Sequence, residues 1–145
     1  MNKILIIAGG YSKEREISFQ TAKIVYAELK KNKKYKIKIK EPDGNFVKEL
    51  RIQKPDLVLN LLHGRYGEDG YIQAILESQK IKYTHSGVLS SSLAIDKELS
   101  KKIFIKNKIL TPKYIKFIFR FNYYREIKFS LYNFNNFLFF KFFFK

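Results

Sequence analysis

"LVLNLLHGRYGEDGYIQAILE" occupies residues 57–77. Its opening, 57–62, is a near-continuous apolar run of the kind a parallel strand shows when both faces are buried. Residues 63–70 then bring a histidine, an arginine, two acids and three glycines. From Tyr71 to Gln79 the apolar residues Ile72, Ile75 and Leu76 share one helical face. The stretch is therefore strand, loop, helix, and its loop carries more chemistry than a turn requires.

The same grammar extends both ways. Lys3 to Ala8 is a short aliphatic strand ending in Gly9-Gly10. From Ile17 to Lys31 the residues Ala22, Val25, Tyr26 and Leu29 recur at helical spacing. "YKIKIKE" (35–41) alternates, as a half-exposed strand near an edge does. "EPDGN" is a turn, and Phe46 to Ile52 is a short helix. "IKYT" (81–84) is a fourth strand. A Ser-Gly turn then leads into one helix, with Val88, Leu89, Leu93 and Ile95 as its core side, until Thr111-Pro112 ends it. Tyr114 to Phe117 is a strand leaving the domain.

Strands alternating with helices predict an α/β fold with a doubly wound, mainly parallel, four-stranded Rossmann-like sheet. Such sheets bind ligands beyond the carboxyl ends of their strands. Three loops are expected there: "GGYSKEREIS" (9–18), "HGRYGEDG" (63–70) and "THSG" (84–87). "KKNKK", "EPDGN" and "ESQK" are expected on the opposite edge as ordinary turns. The polar, glycine-rich loops thus gather on one side.

Glu14, Arg15 and Glu16 precede a helix, where acids suit the positive dipole and Ser12 is a capping candidate. The alternative is an acid facing the cleft to bind an ammonium group. His63 follows a buried strand; a lone histidine there is most often structural, but its loop companions raise its functional weight. Asp69 is equally able to cap the helix that starts at Tyr71. Loop convergence gives His63 neighbours in Glu14 and in the Ser86-Gly87 turn. The first loop is not GxGxxG, and no P-loop or nucleophile elbow occurs. The two histidines lie on different loops and there is no cysteine, so no metal site is expected.

"GGYSKEREIS", "LLHGRYGEDGYIQAILE", "YTHSGVLSSSLAIDK" and "TPKY", in this order and spacing, resemble the N-terminal domain of D-alanine–D-alanine ligase over roughly residues 3–116. The resemblance implies the pre-ATP-grasp domain of a cytoplasmic, ATP- and Mg²⁺-dependent enzyme of peptidoglycan precursor synthesis, homodimeric when full-length. In that chemistry one D-alanine carboxylate is phosphorylated and the amine of a second attacks the acyl phosphate. By the resemblance Glu14, the one residue here counted as catalytic, binds the ammonium of the first D-alanine. His63 orients its carboxylate, and Lys97 approaches the nucleotide phosphates. Ser86 and Gly87 complete the substrate-binding set. His85 stands where many members have glycine.

The composition changes near residue 117. Residues 117–145 hold 11 phenylalanines of the chain's 14, no glycine or proline, and Glu126 as their one acid. They follow neither a strand nor a helix period for long. This Phe-rich tail reads as out-of-frame translation of AT-rich DNA, or as a disordered segment; an interfacial membrane anchor is the alternative. The domain division expected is therefore 1–116 and 117–145.

Net charge is +16. Only Arg15, Arg51, Arg65, Arg120 and Arg125 among 29 basic residues are arginine, leaving 24 lysines. Specific nucleic-acid recognition leans on arginine forks, so the excess reads as compositional drift and no nucleic-acid partner is expected. No stretch approaches the roughly 18 apolar residues of a spanning helix. The ligase's nucleotide lysines, oxyanion arginine and acidic Mg²⁺ ligands are not identifiable. The expectation is a fragment carrying the first substrate half-site and inactive alone. A stand-alone module acting in trans with a separate catalytic half, or a basic nucleic-acid binder, are the alternatives.

Overall fold

The computed structural model describes residues 2–121, 125–134 and 137–144, with side chains through residue 114. The chain forms two compact units, Met1–Ile95 and Asp96–Lys145.

The first unit is built on a parallel sheet of three strands, β1 (Asn2–Ile7), β2 (Tyr35–Lys40) and β3 (Leu57–Asn60), in the order β2-β1-β3. The helices between them are α1 (Arg15–Lys30) and α2 (Phe46–Gln53); α3 (Tyr71–Ser78) and α4 (Val88–Ile95) follow β3. β1 is central and Ile4 to Ala8 are all buried. Alternate residues feed two cores. Leu5 and Ile7 pack with Phe46 and Leu50 of α2, Val58, and Ile72 and Leu76 of α3. Ile6 and Ala8 pack with Ala22 of α1, against which Phe19, Val25 and Leu29 close. Side chains that alternate across a strand thus put α1 on one face and α2 and α3 on the other. Each buried Leu or Ile contributes about 1.5–3 kcal/mol. β2 is the edge: Lys36 and Lys38 are exposed while Ile37 joins the α1 core, which blunts edge-to-edge pairing.

The helix stops follow backbone chemistry. Lys54 takes a left-handed conformation (φ 43°) after α2 and donates its N–H to Leu50 O; Pro55 then prevents continuation. Asp56 fastens the next strand, accepting from Lys3 N at 2.7 Å and donating its own N–H to Lys3 O at 2.9 Å.

Two expectations are corrected. The fourth strand is a single parallel bridge, Val58 to Tyr83. Val58 N donates to Lys82 O and Thr84 N to Val58 O. The next rung is lost because Asn60 N donates to the Thr84 hydroxyl, 3.1 Å, instead of a backbone carbonyl. The single long helix after the Ser-Gly turn is broken in two. Asp96 is extended (φ −81°, ψ 102°), and its carboxylate accepts from the N–H groups of Glu98 and Leu99, starting α5 (Lys97–Lys106). Of the core side expected for α4, Leu89 is 72% exposed, and the buried residue is Ser91.

In the second unit, Lys101 of α5 is buried and its Nζ donates to Thr111 Oγ1 (2.9 Å) and Pro112 O (2.7 Å). Burial pulls its pKa below the usual lysine value. The backbone then forms an antiparallel meander of β4 (Tyr114–Phe121), β5 (Arg125–Phe134) and β6 (Phe137–Phe144). The compositional boundary after residue 116 falls inside β4. Asn135 and Asn136, two of the tail's polar interruptions, lie outside the described residues. No helix among the described residues is long and apolar enough to cross a membrane.

Candidate functional site

Register fixes the site's floor. Ile7 pairs with Lys40 on one side and Asn60 on the other, so the three strands end level. In a parallel sheet every strand's exit lies at that edge. "EPDGN", which follows β2, therefore stands on the same carboxyl edge as the first and second loops and not opposite it, correcting the expectation of an ordinary distant turn. Its Glu41 holds the first loop: Oε1 accepts from Gly10 N (2.9 Å) and Arg15 Nε (2.7 Å), and Oε2 from Arg15 Nη2 (2.8 Å). The Arg15 guanidinium keeps the Glu41 carboxyl below the usual carboxylate range; burial opposes this and the Gly10 N–H assists it. The backbone must pass close: a Cβ on Gly9 (φ 88°) would run into the Glu41 carboxylate and the Phe19 ring.

Ser18, in the first turns of α1, is fully buried. Its hydroxyl accepts from Gly9 N (2.8 Å) and donates to Leu61 O (2.6 Å), tying the helix to the exits of β1 and β3. Sequence pattern missed Glu41 and Ser18 as site builders. The signal available for Glu41 was the parallel topology already inferred.

The 63–70 loop is folded by its own acids. Glu68 Oε2 accepts from Gly64 N (2.8 Å); Asp69 Oδ2 accepts from Tyr66 N (2.8 Å) and its Oδ1 from Tyr71 N (3.1 Å). Both carboxylates are occupied in shaping the loop and starting α3. Arg65 lies over the Tyr66 ring, 4.9 Å from its centroid.

His63 is different. Its Nδ1 is 3.8 Å from Glu68 Oε1, and its Nε2 is buried with no hydrogen-bond partner among the described residues. Glu14 comes to the same place: a Cβ built on Gly64 would lie 2.9 Å from Glu14 Oε2 and 3.5 Å from Ser12 Cβ. The first and second loops are thus in contact at Gly64. Beside them opens a cavity of about 480 Å³ whose walls include Gly10, Tyr11, Pro42, Leu62, His63 and Tyr66. The rings of Tyr11, Tyr66 and Tyr71 pack edge to face along it, with centroids 6.2 and 5.2 Å apart.

α4 is tied to the second loop, and the third loop to the end of β3. Ser92 Oγ donates to Asp69 O (2.7 Å), and Asn60 Nδ2 approaches His85 Nδ1 at 3.3 Å. Asn60 Nδ2 also donates to Gly67 O at 2.8 Å. His85 has φ 93°, a backbone that suits glycine. Ser86 and Gly87 are exposed; the Ser86 carbonyl accepts from Ser91 Oγ (3.0 Å) and the Gly87 carbonyl from Ser91 N (3.0 Å). Lys97 is the first residue of α5, in the second unit. Among the described residues no three His, Asp or Glu side chains converge into a metal-holding group.

This is an α/β unit whose polar βα loops gather at the carboxyl edge of a parallel sheet, where folds of this class bind their ligands. No family-level sequence model matches the chain. Individual proteins do. A D-alanine–D-alanine ligase of Pelagibacter ubique is 67% identical over 115 residues, covering 79% of this chain and 38% of that protein. One from Carboxydothermus hydrogenoformans is 46% identical over 117 residues, covering 81% and 37%. The crystal structure of a Bacillus anthracis D-alanine–D-alanine ligase complexed with ATP superposes with TM-score 0.71 at 35% identity, covering 86% of this chain and 43% of the other. The chain is homologous to the N-terminal part of D-alanine–D-alanine ligases. It spans little more than a third of the length of these curated relatives.

Proposed function

We propose that this chain carries the first-substrate half-site of a D-alanine–D-alanine ligase serving cytoplasmic peptidoglycan precursor synthesis. Residues 1–116 form its N-terminal domain. D-Alanine is a small zwitterion and needs an anion for its ammonium and a donor for its carboxylate. Glu14 supplies the first and His63 the second. The observation that carries this reading is the buried, unpartnered Nε2 of His63, one residue from Gly64, against which the Glu14 carboxylate lies. A buried polar atom without a partner costs about 1–3 kcal/mol, and a bound carboxylate removes that cost. The Ser86-Gly87 turn closes the same edge.

ATP and Mg²⁺ belong to the whole ligase in this reading. Lys97 is the residue here that meets nucleotide phosphates, and the described residues bring together no carboxylate group fitted to the metal. The chain's own residues therefore bind and orient the first D-alanine, and no phosphoryl step is assigned to them. By itself the chain releases no phosphate from ATP in the presence of D-alanine.

Titrating the purified chain with D-alanine while following its histidine NMR signals tests the reading. Saturable shifts of His63 that L-alanine does not produce, lost in Glu14→Gln, are expected. Equal responses to both enantiomers, or binding retained in Glu14→Gln, would overturn it, as would phosphate release well above background.

A further inference from the structure

Two buried side chains lie outside the D-alanine contacts proposed above. Asn60 and Gln73 are fully buried amides on different elements, the end of β3 and the second residue pair of α3, and both aim at one atom. Asn60 Nδ2 donates to the Gly67 carbonyl at 2.8 Å, and Gln73 Nε2 donates to the same carbonyl at 3.0 Å. Asn60 Oδ1 also accepts from Leu62 N at 3.2 Å. Gly67 is pressed against Leu62: a Cβ there would run into the Leu62 side chain and lie 3.0 Å from its carbonyl carbon. Leu62 is the residue before His63. The four residues 63–66 are therefore a short arc whose two ends are pinned to each other by one amide and braced from α3 by a second.

We infer that Asn60 and Gln73 are positioning residues for His63. They touch no ligand. They fix the two ends of the arc that carries the imidazole, and so fix where Nε2 points. A strand end could be satisfied by an apolar residue, and Gln73 leaves its own Oε1 buried without a partner among the described residues. An acceptor left unpaired is a local cost, which makes sense when the donor on the same amide holds something that matters. Preorganising a binding group in this way spares the ligand the cost of ordering it. The D-alanine consequence rests on the function proposed above; the geometric claim about His63 does not.

The chain has two histidines, so its imidazole spectrum has two Cε1–Hε1 signals, assigned with His85→Gly. Asn60→Asp keeps the acceptor for Leu62 N and replaces the donor to Gly67 O. Gln73→Met removes only the second donor, and it also removes the unpaired Oε1. Both variants are expected to shift the His63 signal in the free protein. Gln73→Met should leave His85 unmoved, since among the described residues the side chain hydrogen-bonded to that ring is Asn60. D-Alanine affinity should fall by roughly tenfold in each, the scale of one lost hydrogen bond.

A folded Gln73→Met protein with an unchanged His63 signal would overturn the inference, whatever happened to its stability, because a merely structural amide alters unfolding without moving the ring. If Asn60→Asp fails to fold, Gln73→Met alone decides. If the unmutated chain shows no D-alanine binding, the functional proposal falls, and the positioning role is judged on the His63 shift in the free protein.

Discussion

Arg15 closes its guanidinium fork on Glu41, with Nε 2.7 Å from Oε1 and Nη2 2.8 Å from Oε2. The same Oε1 takes the Gly10 N–H, so one carboxylate joins the start of α1, the glycine turn and the exit of β2. Its pKa is lowered chiefly by Arg15. A carboxyl whose folded value lies below its unfolded value of about 4.3 binds fewer protons when folded. It stabilises the fold above about pH 4.3, and that contribution is lost as pH falls through the lower folded value. Asp43, lowered chiefly by the Asn45 N–H, adds in the same direction. Glu41→Gln is therefore expected to lower the thermal midpoint near neutrality and to flatten its decline in acid without abolishing it. Melting curves across that pH range check this; parallel declines in the two proteins would refute it.

Ser18 makes a sharper demand. Its hydroxyl is the partner of Gly9 N and Leu61 O in a site with no exposure. Ser18→Ala leaves a buried donor unpaired, and the loss is about 1–3 kcal/mol. Ser12 also accepts a backbone bond, from Glu14 N at 3.1 Å, but in an exposed turn where water replaces it. Ser12→Ala should cost well under 1 kcal/mol. Urea unfolding of the two variants side by side tests the contrast, and equal losses would show that burial is not what gives Ser18 its weight.

The legible parts of this molecule are those set by hydrophobic period. β1, α1, α2 and α3 follow from apolar spacing because burial dictates both. The 63–70 loop stood out because its residues exceed what a turn needs, and Glu68 and Asp69 do shape it through backbone N–H groups. Failures came where side-chain hydrogen bonds decide backbone fate. The Thr84 hydroxyl ends the fourth strand after one bridge, and Asp96 breaks a helix whose apolar content runs on. Neither effect has a period. Composition points Glu41 to the wrong edge, although parallel pairing alone determines its side. Its neighbours Pro42, Asp43 and Gly44 are ordinary turn residues, and that composition masked its place.

Tyr83 gives a prediction at the alkaline end. Its hydroxyl donates to Glu77 Oε1 at 2.6 Å, and its pKa is raised to about 12, first by burial and then by the Glu77 bond and charge. A phenol whose folded value exceeds its unfolded value of about 10 stabilises the fold fully below that pH. The contribution is lost as pH rises through the folded value. The phenolate absorbance of the intact chain minus that of Tyr83→Phe should titrate with a midpoint near 12. A difference curve centred near 10, the value of a free phenol, would contradict the Glu77 contact.

His85 supplies the last test, because its backbone and its side chain pull in opposite directions. At φ 93° a Cβ-bearing residue is strained, by about 1–3 kcal/mol. The ring's hydrogen-bond contact, the Asn60 amide at 3.3 Å, returns little: Asn60 Nδ2 keeps its bond to Gly67 O when the ring is gone. Glycine adopts this backbone freely but brings an entropic cost of about 0.5–1 kcal/mol through the unfolded chain. The balance favours glycine, and His85→Gly should stabilise the first unit by roughly 1 kcal/mol. His85→Ala, which keeps the strain and loses the contact, should not. Denaturant midpoints for the three proteins separate the two contributions. A His85→Gly protein less stable than His85→Ala would mean that the left-handed backbone at this turn carries no strain for glycine to relieve.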